Sequence, residues 1–398
     1  MSTGTIAGTR GSEVRAGRPH DSRRDVATAI TDFPFSGRRV TFSSGMVNRK
    51  GLNLLLVLPV FLVGSVFAAE EPQFEPLPAP VSNNAVATIK SRGDWLLYSF
   101  MGIGAKKTWD SVSNDAYVVN ESGKWAQARS VPGSAGRLAA GAVGGRDHIF
   151  LFGGYVIDGQ GGETTLSDLN VYDPLTDRWF RGADIPVPVD DFVVGIYHDR
   201  FIYLVSGWSK DKTVQDVQMY DAEKNEWKSA TPIPGTSVFG HSGALLNDTI
   251  VYVDGAYRNP AGVSPKFIAS DECWMGKIDH KDPAKIQWSK LPNHPGLARY
   301  RIAAGGSGKD DKIYFSGGTD NPYNYNGMGY NGKPSVPSPV TFAFNLKTGK
   351  WETINDNTPK PTMDHRALAV KGRELIIVGG MEADQKVTAR VTVLTIKK

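Results

Sequence analysis

The chain has 398 residues, of which 40% are hydrophobic and 22% are charged, with 44 glycines, 24 prolines and a single cysteine, Cys273. This composition excludes a disordered or collagen-like chain, and one cysteine excludes an intramolecular disulfide, a CxxC redox pair and a cysteine-based zinc site. The net charge of +4 arises in residues 1–68, which hold nine of the 45 basic and four of the 41 acidic residues, so the nearly neutral remainder lacks the positive surface of a nucleic-acid-binding protein.

The first predicted element in the chain is an export signal. Residues 46–50 form a short basic head, and residues 51–67 are apolar apart from Asn53 and Ser65. Because Ala68 is the small residue that signal peptidase requires, we expect a signal peptide over residues 46–68 and a periplasmic or secreted protein without stable membrane insertion after cleavage. The alternative is a membrane anchor, since the apolar stretch is nearly long enough for a thin span.

Residues 1–45 are rich in Arg, Gly, Ser and Thr and show no hydrophobic periodicity. A signal peptide acts at an N-terminus, so these residues are interpreted as a non-native or disordered extension. In the first case Met46 is the true start of the protein. In the second case the extension is a cytoplasmic tail on an anchored protein.

The rest of the sequence repeats one pattern six times. Each copy has an apolar strand ending in a glycine turn, at residues 95–104, 149–154, 201–207, 250–255, 313–318 and 375–380. In five copies a strand with a polar turn and a Trp follows, at residues 117–125, 171–179, 219–227, 275–288 and 343–351. A period of roughly fifty to sixty residues is typical of a radial array of four-stranded blades, in which we expect the Trp side chains to pack blade against blade.

The recurring order of double glycine, Tyr and Trp resembles the kelch family. This resemblance implies an all-β, six-bladed kelch β-propeller that forms one domain over residues 69–398. The last unit lacks its Trp strand, and residues 74–80 (FEPLPAP) resemble that missing outer strand. Pairing this N-terminal strand with the last blade would close the ring and remove its exposed edge.

One face of such a ring carries the residues most suited to binding. Strands of a blade alternate in direction, so the loops after the second strand and the segments between blades emerge on the same face. Two of these loops are unusually long, at residues 256–271 and 319–339. The between-blade segments carry charged and His residues just before the innermost strand, and these are Arg137, Asp190, Asp191, His241, Arg299, Arg301, Asp364, His365 and Arg366.

We expect these side chains to surround the mouth of the central channel beneath the two loops. Tyr rings stack on sugar C–H faces, and Asn, Asp and Arg bind hydroxyl or carboxylate groups, so Tyr323, Tyr325 and Tyr330 of the second loop complete a predicted sugar site. The alternative is that the Arg and Asp residues pair with each other to fill the channel, and that the tyrosines pack the loop on itself.

No metal and no cofactor are expected. The six His residues of the repeat region are scattered and form no HxH or HxxxH pair, and a GxSxG motif does not occur. Among secreted kelch propellers, galactose oxidase needs copper and a Tyr–Cys crosslink. Cys273 lies in the sequence DECW, outside a Tyr-bearing copper constellation, so that activity is not predicted.

The chain is also similar to the bacterial N-acetylneuraminate epimerase family of sialic acid mutarotases. The similarity lies in the signal peptide, the Pro-rich first strand, the six kelch units and the insertion PYNYNGMGYNG at residues 322–332. It implies a catalytic Glu directly after the glycine that closes strand two of blade four, with an Arg a few residues later. Here Ala256 occupies the Glu position, Arg258 is the nearest Arg, and Asp254 is a candidate substitute acid.

Two functional hypotheses follow. The first is an exported propeller that binds a carbohydrate, a similar polar ligand or a protein partner on its loop face without catalysis. The second is a sugar mutarotase or epimerase with a rearranged acid, in which Asp190, Asp191, Asp254 or Asp364 acts as base and Arg301 or Arg366 holds the substrate. The absence of the family's Glu favours the first hypothesis.

Overall fold

The computed structural model describes residues 73–133 and 136–396, which form an all-β, six-bladed propeller of antiparallel sheets; the predictions for residues 1–68 lie outside the described residues. Each blade is ordered from the innermost strand at the channel to the outermost strand. The strands of blade 1 are Ala85–Ser91, Asp94–Ile103, Val112–Val119 and Trp125–Ala128. Those of blade 2 are Gly141–Gly144, Ile149–Phe152, Leu169–Asp173 and Arg178–Arg181. Those of blade 3 are Val193–Tyr197, Phe201–Val205, Val217–Asp221 and Glu226–Ala230.

The other half of the ring follows the same plan. The strands of blade 4 are Ser242–Leu246, Thr249–Val253, Cys273–Ile278 and Ile286–Leu291. Those of blade 5 are Ala303–Ser307, Lys312–Ser316, Thr341–Asn345 and Lys350–Asn355. In its described part, blade 6 has the three strands Ala369–Lys371, Glu374–Val378 and Val391–Thr395.

Blades 2, 3 and 4 each add a two-stranded hairpin after their second strand. The hairpins pair Tyr155–Ile157 with Glu163–Thr165, Trp208–Ser209 with Lys212–Thr213, and Ala256–Arg258 with Phe267–Ala269. The helical part of the described residues consists of two 3₁₀ turns, Trp109–Ser111 and Ala383–Gln385. No helix in this part of the chain is long and apolar enough to cross a membrane.

The recurring Trp residues join neighbouring blades, as the sequence predicts. In each of five blades the indole Nε1–H donates a hydrogen bond of 2.7–3.2 Å to a backbone carbonyl. In four of them the acceptor lies in the segment that leads out of the preceding blade, and in blade 1 it is Glu75 of the N-terminal segment. These Trp residues are Trp125, Trp179, Trp227, Trp288 and Trp351. The ring of Trp179 also packs edge-on against Phe100 of blade 1, with 5.6 Å between centroids. The Trp repeat is therefore structural, and it leaves the channel to other residues.

The glycine turns at the ends of the second strands allow the between-blade segments to pack closely against them. A Cβ on Gly154 would lie 2.6 Å from the Leu138 carbonyl oxygen, and a Cβ on Gly207 would lie 2.6 Å from the Asp190 carbonyl oxygen. Both glycines also have positive φ, +83° and +114°, a conformation that side chains disfavour. The turns therefore require glycine, and they place the residue after each turn beside the segment that leads into the first strand of the same blade.

The segment before the first strand lies between blades 1 and 6. The Glu75 N–H donates to the Gly123 carbonyl at 2.8 Å, and the Leu77 N–H donates to the Ala389 carbonyl at 2.8 Å. Phe74 and Leu77 are buried in a cluster with Val378 of blade 6. Residues 74–80 do not adopt strand geometry here, so closure by a fourth strand remains a prediction.

Candidate functional site

Six equivalent turn residues form a ring around the channel, one before each innermost strand. Each has a positive φ between 53° and 73°, and we call them the turn ring, which consists of Asn83, Ala139, Asp191, Gly240, Arg301 and Asp364. Most are linked by backbone hydrogen bonds from one blade to the next, including Gly240 N–H to Asp191 O at 2.9 Å and Arg301 N–H to Gly240 O at 2.8 Å. The bond from Asn83 N–H to Asp364 O, at 3.1 Å, joins blade 1 to blade 6. The backbone is thus the same at every position, while the side chains differ.

Three side chains of the turn ring meet with Arg366 in the channel, and we call these four residues the ion-pair cluster. Arg301 Nη2 lies 2.6 Å from Asp191 Oδ2, and Arg301 Nη1 lies 2.9 Å from Asp364 Oδ1. Arg366 Nη1 bonds the other oxygen of Asp191. Asp364 also accepts hydrogen bonds from Ser82 Oγ at 2.7 Å and from the side-chain amide of Asn83. The Arg and Asp side chains of this cluster therefore pair with one another across three blades.

Asp191 is held in its charged form by this arrangement. Burial by itself would raise the pKa of its carboxyl, but the adjacent Arg301 and Arg366 guanidinium groups outweigh burial and hold the pKa below its ordinary value. The two buried arginines each need that carboxylate, because a buried charge without a partner is strongly destabilising.

A cavity of about 160 Å³ opens above the ion-pair cluster on the loop face. We call it the loop-face cavity. It is lined by the charged residues Asp190, Asp191 and Arg301, and its wall contains the aromatic residues Tyr155, Trp208, Phe239, Phe267 and Tyr330 together with the polar residues Glu163, Lys266 and Asn324. Aromatic faces beside charged and amide groups are suited to a small polar ligand that also has an apolar face.

Asp190 is a buried acid of the loop-face cavity whose pKa is raised. It is 3% exposed, and Thr165 Oγ1 donates a 2.7 Å hydrogen bond to its Oδ2. Burial and, next, the neighbouring negative charge of Asp191 raise its pKa well above the ordinary value. Adjacent carboxyls whose pKa values move in opposite directions are suited to different roles in proton transfer. The pKa of Asp190 is therefore raised while that of Asp191 is lowered, although the two residues are adjacent in the chain.

The hairpins and the long loop of blade 5 build the walls of this cavity. Trp208 packs against Phe239 and Phe267, with centroid distances of 5.3 and 5.5 Å. Tyr330 packs against Phe267 at 4.7 Å, so the blade 5 loop is fastened to the blade 4 hairpin. Lys266 precedes Phe267 on that hairpin, and its Nζ lies 5.2 Å from the Phe267 ring centroid.

The three predicted loop tyrosines have different surroundings. Tyr330 lines the loop-face cavity. Tyr323 is fully buried, and its ring lies edge-on to Tyr300 at 5.2 Å while the Arg301 guanidinium lies 5.3 Å from its centroid. Tyr325 is half-buried against the same apolar cluster and does not line the cavity. Much of the loop is therefore packed on the ring.

Several predicted site residues lie away from the loop-face cavity. Arg137 donates to Asp168 at 2.7 Å and to the Gly153 carbonyl, and Arg299 bonds Ser338 and the Gly317 carbonyl, so both fasten strand ends within their own blades. Asp254 accepts hydrogen bonds from the His294 ring at 2.7 Å and from the Arg299 N–H at 2.8 Å. Arg137 and Arg299 therefore do not join the expected ring of side chains at the channel mouth, and Asp254, the candidate substitute acid, does not line the cavity.

Three more of the predicted site residues lie outside the cavity and are bonded to other protein groups. His241 bonds the Val205 carbonyl at 2.9 Å, and His365 bonds the Thr362 hydroxyl at 2.9 Å, so each imidazole has a structural partner. Arg258 is exposed and donates to the Asp211 carbonyl at 3.1 Å. The site residues that the structure brings together are thus Asp190, Asp191, Arg301, Asp364, Arg366 and Tyr330.

Position 256 belongs to a second set of equivalent residues, each directly after a glycine turn. Ala256 is fully buried and pairs with Phe239, which lines the loop-face cavity. The equivalent residues of the other blades are also uncharged, and they are Ile103, Tyr155, Trp208, Thr319 and Met381. Ala256 itself does not line the cavity, and the buried acids that do are Asp190 and Asp191.

Sequence reasoning identified Tyr330 but not Lys266, Glu163 or the other aromatic residues of the wall. Tyr155 and Trp208 could be recognised from their place directly after the glycine turns, a position that is repeated in every blade. Lys266 lies in the long loop at residues 256–271, but its direction depends on the hairpin within that loop. Within the described residues, no cluster of three or more His, Cys, Asp or Glu could hold a metal ion.

Comparison with known proteins agrees with this architecture. The profile of the Attractin/LZTR1 β-propeller matches residues 97–386. Kelch-like protein 15 of Mus musculus is 25% identical over 234 residues, which are 58% of this chain but only 37% of that protein. N-acetylneuraminate epimerase of Salmonella enteritidis PT4 is 22% identical over 86% of this chain and 94% of that protein.

The solved structure of YjhT shows the same fold, with a TM-score of 0.64 and 15% sequence identity, over 82% of this chain and 98% of that chain. The predicted kelch architecture and the resemblance to N-acetylneuraminate epimerase are thereby confirmed. Since the profile match covers most of the repeat region, the chain belongs to the Attractin/LZTR1 β-propeller family.

Proposed function

We propose that this protein binds a carbohydrate in the loop-face cavity. The observation that carries the proposal is the convergence of Asp190, Lys266 and Asn324 with the aromatic faces of Trp208 and Tyr330 in one cavity. Aromatic rings stack on the C–H face of a sugar, while the polar groups exchange hydrogen bonds with its hydroxyls. The cavity is smaller than the roughly 300–1,000 Å³ of drug-sized sites, so it is suited to one sugar ring rather than to an oligosaccharide.

Lys266 gives the proposed site a preference for an acidic sugar. Lys266 lines the cavity, whereas the positive charge of Arg301 is already shared between Asp191 and Asp364. Lys266 is therefore the cation available to a ligand carboxylate. The name of the relative N-acetylneuraminate epimerase makes N-acetylneuraminate the first sugar to test.

Saturation-transfer NMR tests the binding proposal. The full chain is mixed with N-acetylneuraminate, neutral hexoses and uronic acids in turn. We expect saturation of acidic sugars, and at least about a tenfold weaker Kd in Lys266→Gln, because hydrogen bonds to charged groups contribute about 1.5–3 kcal/mol. The matched control is Lys228→Gln, an exposed lysine on the outermost strand of blade 3. Absence of saturation transfer to every sugar, or equal Kd values in the two variants, would contradict the proposal. Absence of saturation transfer would favour a protein partner.

A second candidate function, sugar mutarotation, is favoured by the raised pKa of Asp190. In ring opening, the Asp190 carboxylic acid would donate its proton to the ring oxygen as the bond from that oxygen to the anomeric carbon breaks. The anomeric hydroxyl would lose its proton to the Glu163 carboxylate, which leaves a carbonyl group at that carbon. Ring closure on the other face of the carbonyl reverses both proton transfers and yields the other anomer.

Anomer exchange followed by NMR separates binding from catalysis. The catalytic version predicts exchange faster than in buffer alone, and loss of that excess rate in Asp190→Asn with sugar binding retained. Asp199→Asn, an exposed aspartate at a turn of blade 3, should keep the full rate. An exchange rate equal to that of buffer would mean that the protein binds sugar without catalysing anomer exchange. An unchanged rate in Asp190→Asn would remove Asp190 from the mechanism.

We further infer that the protein is exported by a signal peptide over residues 46–68 and acts in the periplasm or outside the cell. The inference is based on the basic head, the apolar stretch and Ala68 in the sequence. Mass spectrometry of the N-terminus from expressing cells should find Ala69 as the first residue. Retention of residues 46–68 in a membrane fraction would contradict cleavage and favour an anchor.

A further inference from the structure

The channel contains a second cavity on the opposite side of the ion-pair cluster. It has a volume of about 230 Å³ and is lined by the innermost strands of all six blades, and we call it the bore. The residues of its wall lie on or just before the innermost strands, directly after the turn ring. The loop-face cavity is instead built from turn-ring residues, the residues next to them, and the hairpins and loop that follow the second strands. The two cavities therefore lie on opposite sides of the charged cluster.

The wall of the bore carries one charged side chain among the described residues, Arg366. Acidic residues and lysines do not contribute to this wall in the part of the chain that the structure describes. The other titratable residues of the wall are His241 and His365, and burial lowers the pKa of each imidazole to about 4, so both are uncharged at neutral pH. The wall of the bore thus contains one cationic side chain and no acidic residue, and the carboxylate paired with Arg366 belongs to Asp191 of the ion-pair cluster.

Arg366 has a free hydrogen-bonding edge. Its side chain is only 5% exposed, and Nη1 is bound to Asp191. Nε and Nη2 are buried and have no hydrogen-bond partner among the described residues. These two nitrogens form one side of the planar guanidinium group, and their parallel N–H bonds match two oxygens of a carboxylate, phosphate or sulfate.

We propose that the bore is an oxyanion-binding site in which the Nε–Nη2 edge of Arg366 binds two oxygens of the anion. The site is independent of the carbohydrate site, because the ion-pair cluster separates the two. Asp191 already offsets one charge of Arg366, so the expected affinity is modest and the anion exchanges with solvent through the end of the bore.

Sulfate and acetate are the probes for this proposal, and they distinguish a tetrahedral from a planar oxyanion. Binding to the full chain is followed in NMR spectra of arginine Nε–H groups, at constant ionic strength with chloride as the reference anion. We expect one Nε–H resonance to shift in a saturable manner with at least one of the two probes. Arg366→Lys keeps the positive charge but removes the fork, and should lose that resonance and weaken binding at least about tenfold.

A surface arginine provides the control. Arg178 lies on the outermost strand of blade 2, and Arg178→Lys should leave the saturable shift unchanged. If Arg366→Lys does not fold, a selenate soak of wild-type crystals replaces the variant, with an anomalous peak expected beside Arg366 Nε. An unsaturable shift, unchanged binding in a folded Arg366→Lys variant, or selenate bound only at surface lysines would overturn the proposal.

Discussion

The outer strands and the turn ring repeat with the same period, yet they use their side chains in opposite ways. On the outer strands Trp recurs, and each indole donates to a backbone carbonyl outside its own blade. Trp179 and Trp227 donate to the segment that leaves the preceding blade, and Trp125 donates to the N-terminal segment. In the turn ring the backbone recurs, but the side chains range from Ala139 to Arg301. Repeated side chains therefore hold this ring together, and the chemistry of the channel depends on positions at which the repeat differs between blades.

Removing the centre of the ion-pair cluster should have the largest effect on stability. Arg301→Met leaves Asp191 with Arg366 alone and removes the charged partner of Asp364. Breaking a buried pair costs about 3–5 kcal/mol, so we expect the free energy of unfolding in urea to fall by about that amount. Arg181→Met removes exposed pairs with Asp168 and Asp184 and should cost at most about 1 kcal/mol. Equal losses in the two variants would show that burial of the cluster is unimportant.

The two neighbouring aspartates should respond differently to neutralisation. Asp191→Asn removes the charge partner of two buried arginines and should cost about 3 kcal/mol at neutral pH. The stability contributed by Asp191 is present above its unfolded pKa of about 3.9 and is lost as pH falls through the lower folded value.

The contribution of Asp190 to the pH dependence of stability has the opposite sign, because the pKa of its carboxyl is raised in the folded protein. Ionisation of Asp190 opposes folding once the pH exceeds the pKa of this carboxyl in the unfolded chain. Asp190→Asn should therefore leave the free energy of unfolding unchanged or increase it at pH 7, and should not increase it below about pH 3.9. Urea unfolding at pH 3.5 and pH 7 measures both variants. A strong loss of stability in Asp190→Asn at pH 7 would contradict the raised pKa.

His241 should produce a smaller pH dependence. Burial lowers its pKa from 6.5 to about 4, so the folded protein keeps the imidazole neutral while the unfolded chain takes up a proton. The resulting stability is present above pH 6.5 and is lost as pH falls toward 4. His241→Gln should flatten the slope of unfolding free energy against pH in this window, whereas the exposed control His280→Gln should keep the wild-type slope. Identical slopes in both variants would rule out the buried neutral imidazole.

The smallest effect is expected on the repeated outer strands. Trp227→Phe keeps an aromatic ring against Phe152 but removes the indole hydrogen bond to the Ala183 carbonyl. Such a bond contributes about 1 kcal/mol, so the free energy of unfolding should fall by that amount. The Kd of a bound sugar should not change, and a change in Kd would mean that the repeated Trp positions also belong to the site.

The sequence was sufficient to predict the architecture because each blade repeats the same local signals. A glycine at position 154 or 207 is required by the close approach of a neighbouring carbonyl, and the Trp residues bond the same backbone segment in blade after blade. The site was only partly predictable. Arg299 and Arg301 are two positions apart in one turn, yet the former bonds Ser338 and the latter enters the channel. Their directions depend on the positive φ at Arg301, which the amino-acid type does not indicate.

The walls of the loop-face cavity depend on contacts between distant parts of the chain. Tyr330 reaches Phe267 from the blade 5 loop, and Thr165 reaches Asp190 from the blade 2 hairpin. These contacts join segments whose sequence separation carries no periodic signal. The raised pKa of Asp190 has the same origin, since it follows from burial beneath those segments and from the charge beside it.

The most direct test of the carbohydrate site is a crystal structure of the protein soaked with N-acetylneuraminate. We predict sugar density in the loop-face cavity, with the sugar ring against Trp208 or Tyr330, its carboxylate within hydrogen-bond distance of Lys266 Nζ, and a hydroxyl group or the ring oxygen beside Asp190. An empty loop-face cavity at saturating sugar, or density confined to the outer surface of the blades, would contradict this account.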